Sequence, residues 1–297
     1  MLTNSKLIIL SVSNSLKVWT NNLFPSLFPF FIISNLLISY GFVEILAHIF
    51  NKFIKKIFKC SPNSSFIIFM SMISGIPSNA KYIKDLLNDN KITLKEANKL
   101  ILFTHFSNPL FILGTIGNIY LNNPKLGIII LISHYISNII LGLILRIIDT
   151  SQELDKHNCI YSKFRETNNF GKILSTSLST SLDTIILILG IITFFNILTT
   201  ILNNSLNIDN LLIKSIITSI FEITSGLNLL SLTNTTLELK TILMAMIISF
   251  GGLSTHIQII SILDNKKIRY LPYLIFRILH AFLAGIICLI LIYNNTF

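Results

Sequence analysis

Charge is scarce in this sequence. Only 12% of its 297 residues are charged, where a soluble globular domain carries about 25%. Cysteine is nearly absent, and Cys60, Cys159 and Cys288 stand singly, with no CxxC or Cys/His spacing to close round a metal or form a redox pair. No GxxxxGK[ST] phosphate loop, HExxH helix or GxSxG elbow occurs. Ser254 and His256, two residues apart, make no catalytic triad by themselves. These absences exclude the disulfide-stapled and zinc-dependent classes and leave no catalytic residues, metal ligands or cofactor motif to name, so the expectation is a protein that is not an enzyme.

What is present is apolar length. Hydrophobic residues make up 52% of the chain, and long runs recur at 23–50, 126–148, 178–202 and 271–293. A helix needs about 20 mostly apolar residues to cross a bilayer core roughly 30 Å thick. Strands of a membrane barrel would alternate polar and apolar residues instead. The fold class expected is therefore an all-α polytopic membrane protein with the lipid bilayer as its first partner. The net charge of +10 sits in short clusters between apolar runs, which marks cytoplasmic loops rather than a nucleic-acid surface. Residues 1–22 hold one short apolar stretch, Leu7 to Leu10, and fit neither a span nor a signal peptide. They suggest an amphipathic helix lying at the interface, with Trp19 as anchor.

Residues 23–148 and 177–297 present similar landmarks in the same order, as two repeats would. Each opens on a long span, 23–50 or 178–202. A small-residue break follows, Ser74-Gly75-Ile76-Pro77 in one half and Thr224-Ser225-Gly226 in the other. A second broken segment holds Thr104-His105-Phe106-Ser107-Asn108-Pro109 or Gly251-Gly252-Leu253-Ser254-Thr255-His256, and a closing span carries Gly142 or Gly285. The polar stretch 149–176 reads as an exposed cytoplasmic linker, and 81–99 as a cytoplasmic helical insert outside the core. Lys and Arg placement inverts the halves, with three crossings and one re-entrant segment in each.

Backbone broken inside a bilayer survives only where protein or a wet cavity satisfies it. Paired breaks in inverted halves point to a transporter's substrate site. The lining expected is Ser74, Gly75, Pro77, Asn79, Ser107, Asn108, Glu222, Thr224, Ser225, Gly226, Gly251, Gly252, Ser254 and Gln258. Close helix packing is the competing use of the same small and amide residues. Glu222, in an apolar stretch, has several uses: binding a coupling cation, accepting a proton, hydrogen-bonding a substrate, or pairing with Arg277. Arg277 and His280 share a helix face, with His134 on the matching span, as surrounding or ion-pairing groups.

The segments Phe24-Pro25-Ser26-Leu27-Phe28-Pro29-Phe30, Ser74-Gly75-Ile76-Pro77-Ser78-Asn79-Ala80-Lys81, Ser107-Asn108-Pro109-Leu110-Phe111, Glu222-Ile223-Thr224-Ser225-Gly226 and Phe250-Gly251-Gly252-Leu253-Ser254, with His134-Tyr135, Arg269-Tyr270, Arg277 and His280, resemble the YlbJ-type sporulation integral membrane proteins. The likeness runs from about Lys17 to His280. It departs at Ile76, where the motif often has an aromatic residue, and before the Phe-Pro-Ser segment, where such proteins often have a further span. That family carries the nucleoside-recognition or Gate domain of concentrative nucleoside transporters, spore maturation proteins and ferrous-iron transporters. The resemblance implies two Gate-like membrane repeats in the inner membrane of a spore-forming bacterium. The expected function is a secondary transporter or permeation protein for a small polar solute, nucleoside-like, metabolite or ion, with a coupling cation or proton where transport is driven. The rival is a non-transporting scaffold for spore cortex or coat assembly. Gate-type proteins as a class often assemble, so a homo-oligomer is compatible with this reading.

Overall fold

Apolar side chains that cannot be hidden in water leave the chain one economical arrangement, helices whose backbone bonds close within each segment. The computed structural model describes residues 5–148, 170–205, 208–263 and 268–294, and among them every regular element is a helix. Helix α1 (Ser5–Val18), a π turn (Trp19–Leu23) and α2 (Phe24–Ser39) run on as one rod. The π turn lies immediately before Pro25 and Pro29, which lack the N–H that a regular helix would use.

The rod packs antiparallel along α8 (Phe170–Ser205). Ser11 Oγ donates to Thr200 Oγ1 at 2.8 Å and Asn196 Nδ2 to Ser15 Oγ at 2.8 Å. Trp19 Nε1 donates to the Ile185 carbonyl at 3.0 Å, and Asn35 Nδ2 to Thr180 Oγ1 at 3.0 Å. Leu27 and Phe31 pack on Ile185, Ile188 and Ile192 between these contacts. The segment 1–22 expected at the interface is thus, over its described part, the first half of a paired helix. Its Ser11, Ser15 and Trp19 need polar partners in an apolar setting, and α8 supplies them.

Three further boundaries differ from the sequence expectation. The run 23–50 is not one continuous helix: the chain turns at Gly41 (φ +80°), and α3 (Phe42–Phe58) leaves α2 at 81°. Residues 149–169 of the expected linker lie outside the described residues, while 170–176 are the first two turns of α8. The segment 81–99 does form a helical hairpin, in α5 (Ser78–Asn88) and α6 (Leu94–Phe103), but it is core: Tyr82, Ile83, Leu86, Ala97 and Leu100 are buried with Phe66 of α4 (Ser64–Ser74).

Element order repeats between the halves. After α3 come the hairpin α4–α5, the broken pair α6 and the π-helical Phe111–Tyr120, and α7 (Pro124–Ile148). After α8 come the hairpin α9 (Leu211–Phe221) and α10 (Ile223–Ser231), the broken pair α11 (Leu237–Phe250) and α12 (Gly252–Leu263), and α13 (Tyr270–Tyr293). Packing crosses the halves in matched pairs: α6 touches α13 as α11 touches α7, and α5 touches α12 as α10 touches the Phe111–Tyr120 segment. Helices α7 and α13 meet antiparallel, Leu141 and Tyr273 sharing one core cluster while Ile129, Ile130 and Cys288 share another.

Among the described residues four helices are long and apolar enough to cross a membrane alone, Pro124–Ile148, Phe170–Ser205, Leu237–Leu263 and Tyr270–Tyr293, or five counting the bent pair α2–α3 as one span. The α1–α2 rod runs along most of α8, from Ser11 at Thr200 to Asn35 at Thr180, and the stretch from α6 to Tyr120 runs beside α7. Close approach of Gly117 to Gly127 and of Phe103 to Gly142 lays the latter antiparallel along α7. Hairpin α9–α10 sits near the Ser205 end of α8, where Asn203 Nδ2 donates to Thr218 Oγ1 at 2.9 Å, and α5 sits near its Phe170 end, where Lys81 and Lys172 line one cavity.

Candidate functional site at the helix breaks

The four breaks converge. At Gly75 (φ +82°) an added Cβ would lie 2.5 Å from the Asn108 backbone nitrogen. Asn108 Nδ2 donates to the Ser74 carbonyl at 3.3 Å, and Tyr135 Oη donates to the carbonyls of Met72 (2.5 Å) and Ser107 (3.2 Å). The two breaks of the first half are thereby tied to each other and to α7. In the second half, a Cβ on Gly252 (φ +64°) would meet Ile223 at 2.9 Å, and one on Gly251 (φ +91°) would meet His105 Nε2 at 2.7 Å. Glycine is required at these positions both by the left-handed backbone and by the close approach.

A cavity of about 240 Å³ lies where the halves meet, lined by Ile76, Ser107 and Asn108 from the first and by Ile223 and Thr224 from the second. Leu23, Leu27 and Phe111 form its apolar wall. Val18 and Thr224 also line a larger, more polar cavity of about 490 Å³, with Lys17, Tyr120, Asn196, Asn203 and Ser225. A volume of that size suits a small ligand.

The site residues expected from sequence divide three ways. Ser107, Asn108, Thr224 and Ser225 line cavities. Gly75, Gly226, Gly251 and Gly252 hold backbones together: a Cβ on Gly226 would lie 2.5 Å from Ser219 Cα. Ser74, Pro77, Asn79, Ser254 and Gln258 lie behind. Ser74 Oγ accepts from Tyr82 Oη at 2.9 Å, Pro77 precedes α5, and Gln258 Nε2 donates to Ser254 Oγ at 3.2 Å. The Asn79 amide is buried, with no hydrogen-bond partner for either polar atom among the described residues.

Glu222 is 2% exposed and caps α10: its carboxylate accepts from the Thr224 N–H at 3.1 Å and the Ser225 N–H at 2.7 Å. The two oxygens answer the positive end of that short helix. The alternative pairing with Arg277 is not made. No carboxylate among the described residues lies within ion-pair distance of Arg277, which is fully buried.

Arg277 instead serves backbone and histidine. It donates to the Leu102 carbonyl and to His280 Nδ1 (2.9 Å), and its guanidinium lies 5.4 Å from the Tyr273 ring centre. With Nδ1 accepting, His280 Nε2–H donates to the His134 carbonyl at 3.0 Å. The Ser107 N–H donates to His134 Nε2 at 2.9 Å, so His134 Nδ1–H faces Ser249 Oγ at 2.8 Å. This bonding pattern describes neutral rings. The network supplies partners for carbonyl and N–H groups at and just before the 104–109 break, as unwound backbone in a bilayer requires.

Sequence reasoning missed three participants. Asn138 Nδ2 donates to the His105 carbonyl at 2.6 Å, and Tyr273 Oη pairs with His105 Nδ1 at 3.1 Å. Asn196 bridges Ser15 and the Ser225 hydroxyl at 2.8 Å each. A lone amide in an apolar run, as in Phe194-Phe195-Asn196-Ile197, is the signal that could have found the last.

Compared with known proteins, the chain is 30% identical over 307 aligned positions to the sporulation integral membrane protein YlbJ of Bacillus subtilis (strain 168). The match covers 93% of the chain and 75% of that relative. No protein-family model and no solved structure matches it.

Proposed function

Because the chain belongs to the YlbJ family of sporulation integral membrane proteins, we propose that it acts at the inner membrane as a transporter or permeation protein. Its cargo on this reading is a small polar solute, nucleoside-like, metabolite or ion, held at the paired helix breaks of a Gate-like core. One observation carries the reading. The cavity formed jointly by the breaks of both halves adjoins, through Val18 and Thr224, a polar cavity of about 490 Å³ between the α1–α2 rod, α8 and the second hairpin. A lipid-facing protein gains nothing from such a space unless water or a solute fills it.

A second reading, a non-transporting component needed for spore cortex or coat assembly, draws on a different observation. Gly75 against Asn108 and Gly251 against His105 leave no room for a side chain at those two glycines, the close contact a purely structural core would have.

The test is thermal stabilisation of the purified protein across nucleosides, amino acids, dicarboxylates and cations, run beside Thr224→Val and Asn196→Leu. A ligand at a hundredfold its Kd stabilises the folded state by about 2.7 kcal/mol. A stabilising ligand whose effect shrinks in Thr224→Val supports transport and names the solute class. A flat panel, with both variants as stable as the parent, removes the solute site and favours the scaffold.

A further inference from the structure

Helix α3 carries two apolar faces, and the fold uses one. Val43, Ala47, Ile54 and Phe58 are buried against the core. Roughly 150° round the helix, at about 100° per residue, Ile45, Ile49 and Phe53 form a second stripe, exposed by 48%, 63% and 50%. The exposed Lys56 continues that stripe towards the C-terminal end of the helix, with Lys52 and Lys55 along one side of it. Helix α3 leaves α2 at 81°, so where the α1–α2 rod crosses a bilayer along its normal, α3 runs near the plane of the membrane.

The end of the molecule that carries α3 is also its basic end. Lys99 Nζ donates to the Lys59 carbonyl at 3.2 Å, the Arg269 N–H donates to Asn98 Oδ1 at 2.8 Å, and Lys172 and Lys81 line a cavity with Asp85 and Asp89. Glu44 of α3 is paired with Lys91 at 2.8 Å, which leaves Lys52, Lys55 and Lys56 without a carboxylate in ion-pair distance among the described residues. Basic residues mark the cytoplasmic side, and the cytoplasmic leaflet is where anionic lipid attracts juxtamembrane lysines.

We propose that α3 is an interfacial anchor for anionic phospholipid, its Ile45–Ile49–Phe53 stripe among the upper acyl chains and Lys52, Lys55 and Lys56 on headgroup phosphates. An in-plane helix with an apolar stripe flanked by lysine has the composition of a membrane-surface helix. A protein interface would deplete lysine at such a position. The proposal does not depend on whether the protein transports anything.

The experiment is native mass spectrometry of the full-length protein, released from micelles containing phosphatidylglycerol or phosphatidylcholine. The parent is compared with Lys52→Gln/Lys55→Gln/Lys56→Gln, with the corresponding triple arginine variant, and with Lys6→Gln/Lys125→Gln at the opposite end. Each lysine near an anionic surface is worth about 1 kcal/mol, or roughly fivefold in binding. The expected result at low salt is therefore retention of phosphatidylglycerol over phosphatidylcholine by the parent, a loss on the order of a hundredfold in the glutamine triple, recovery with arginine, and no change in the Lys6/Lys125 pair. Equal retention of both lipids by the parent, or an unchanged preference in the glutamine triple, overturns the proposal. So does a co-purifying protein that the glutamine triple releases while lipid retention stays the same.

Discussion

Replacing Glu222 by glutamine tests whether this buried acid is a helix cap or half of an ion pair. The carboxylate accepts from two backbone N–H groups, at 3.1 and 2.7 Å, at the start of α10. Glutamine keeps one acceptor oxygen and turns an –NH₂ toward the other N–H. One charge-assisted bond, worth about 1.5–3 kcal/mol, and a helix-terminus term of about 0.3–1 kcal/mol are lost. Relief of the buried charge offsets part of this, leaving a net loss of about 2 kcal/mol, or roughly 4–8 °C in apparent melting temperature. Glu222→Asp, also a good N-cap, should lose less than half of that. Because Glu222 and Arg277 form no pair here, the effects of Glu222→Gln and Arg277→Gln should add to within about 0.5 kcal/mol. The assay is a thermal-shift double-mutant cycle in detergent. A coupling above about 1 kcal/mol between the two, or a Glu222→Gln variant as stable as the parent, would refute the capping argument.

Two more outcomes follow from close contacts and buried polar groups. Gly226→Ala should be destabilising by about 3 kcal/mol or more, since its Cβ would fall 2.5 Å from the Ser219 backbone. Gly190→Ala, with nothing within 4 Å, should instead stabilise α8 by about 0.5–1 kcal/mol, and melting curves of the pair check both signs. Arg277→Lys should fail to restore stability lost in Arg277→Gln, because one ammonium cannot reach both the Leu102 carbonyl and His280 Nδ1 along the directions of a planar fork. Recovery with lysine in the same melting assay would show that charge alone is what the position requires.

The sequence by itself determined the helical, multi-pass class, because apolar content and run length are properties each segment has before it meets any other. It also located breaks where glycine acts on its own backbone: Gly75, Gly251 and Gly252 stand at positive φ where the small-residue clusters were read. Thr224, Ser225 and Gly226, read as a break, instead lie inside α10, and the chain breaks at Glu222 (φ −142°) before them. The YlbJ-like motifs lay in the same segments. Only the tertiary structure decided which distant group each polar side chain meets or misses, because a partner 29 or 181 residues away, as for Asn196, leaves no local trace. Glu222 became a cap rather than a mate for Arg277, and Asn196 became a bridge between Ser15 and Ser225. His105, read only as part of a break, became the neighbour that forbids a side chain at Gly251. The hairpin at 81–99 shows the same division. Its amphipathic spacing announced two helices, yet its burial in the core was settled by packing against Phe66 of α4, which the spacing of Lys and Leu alone does not encode.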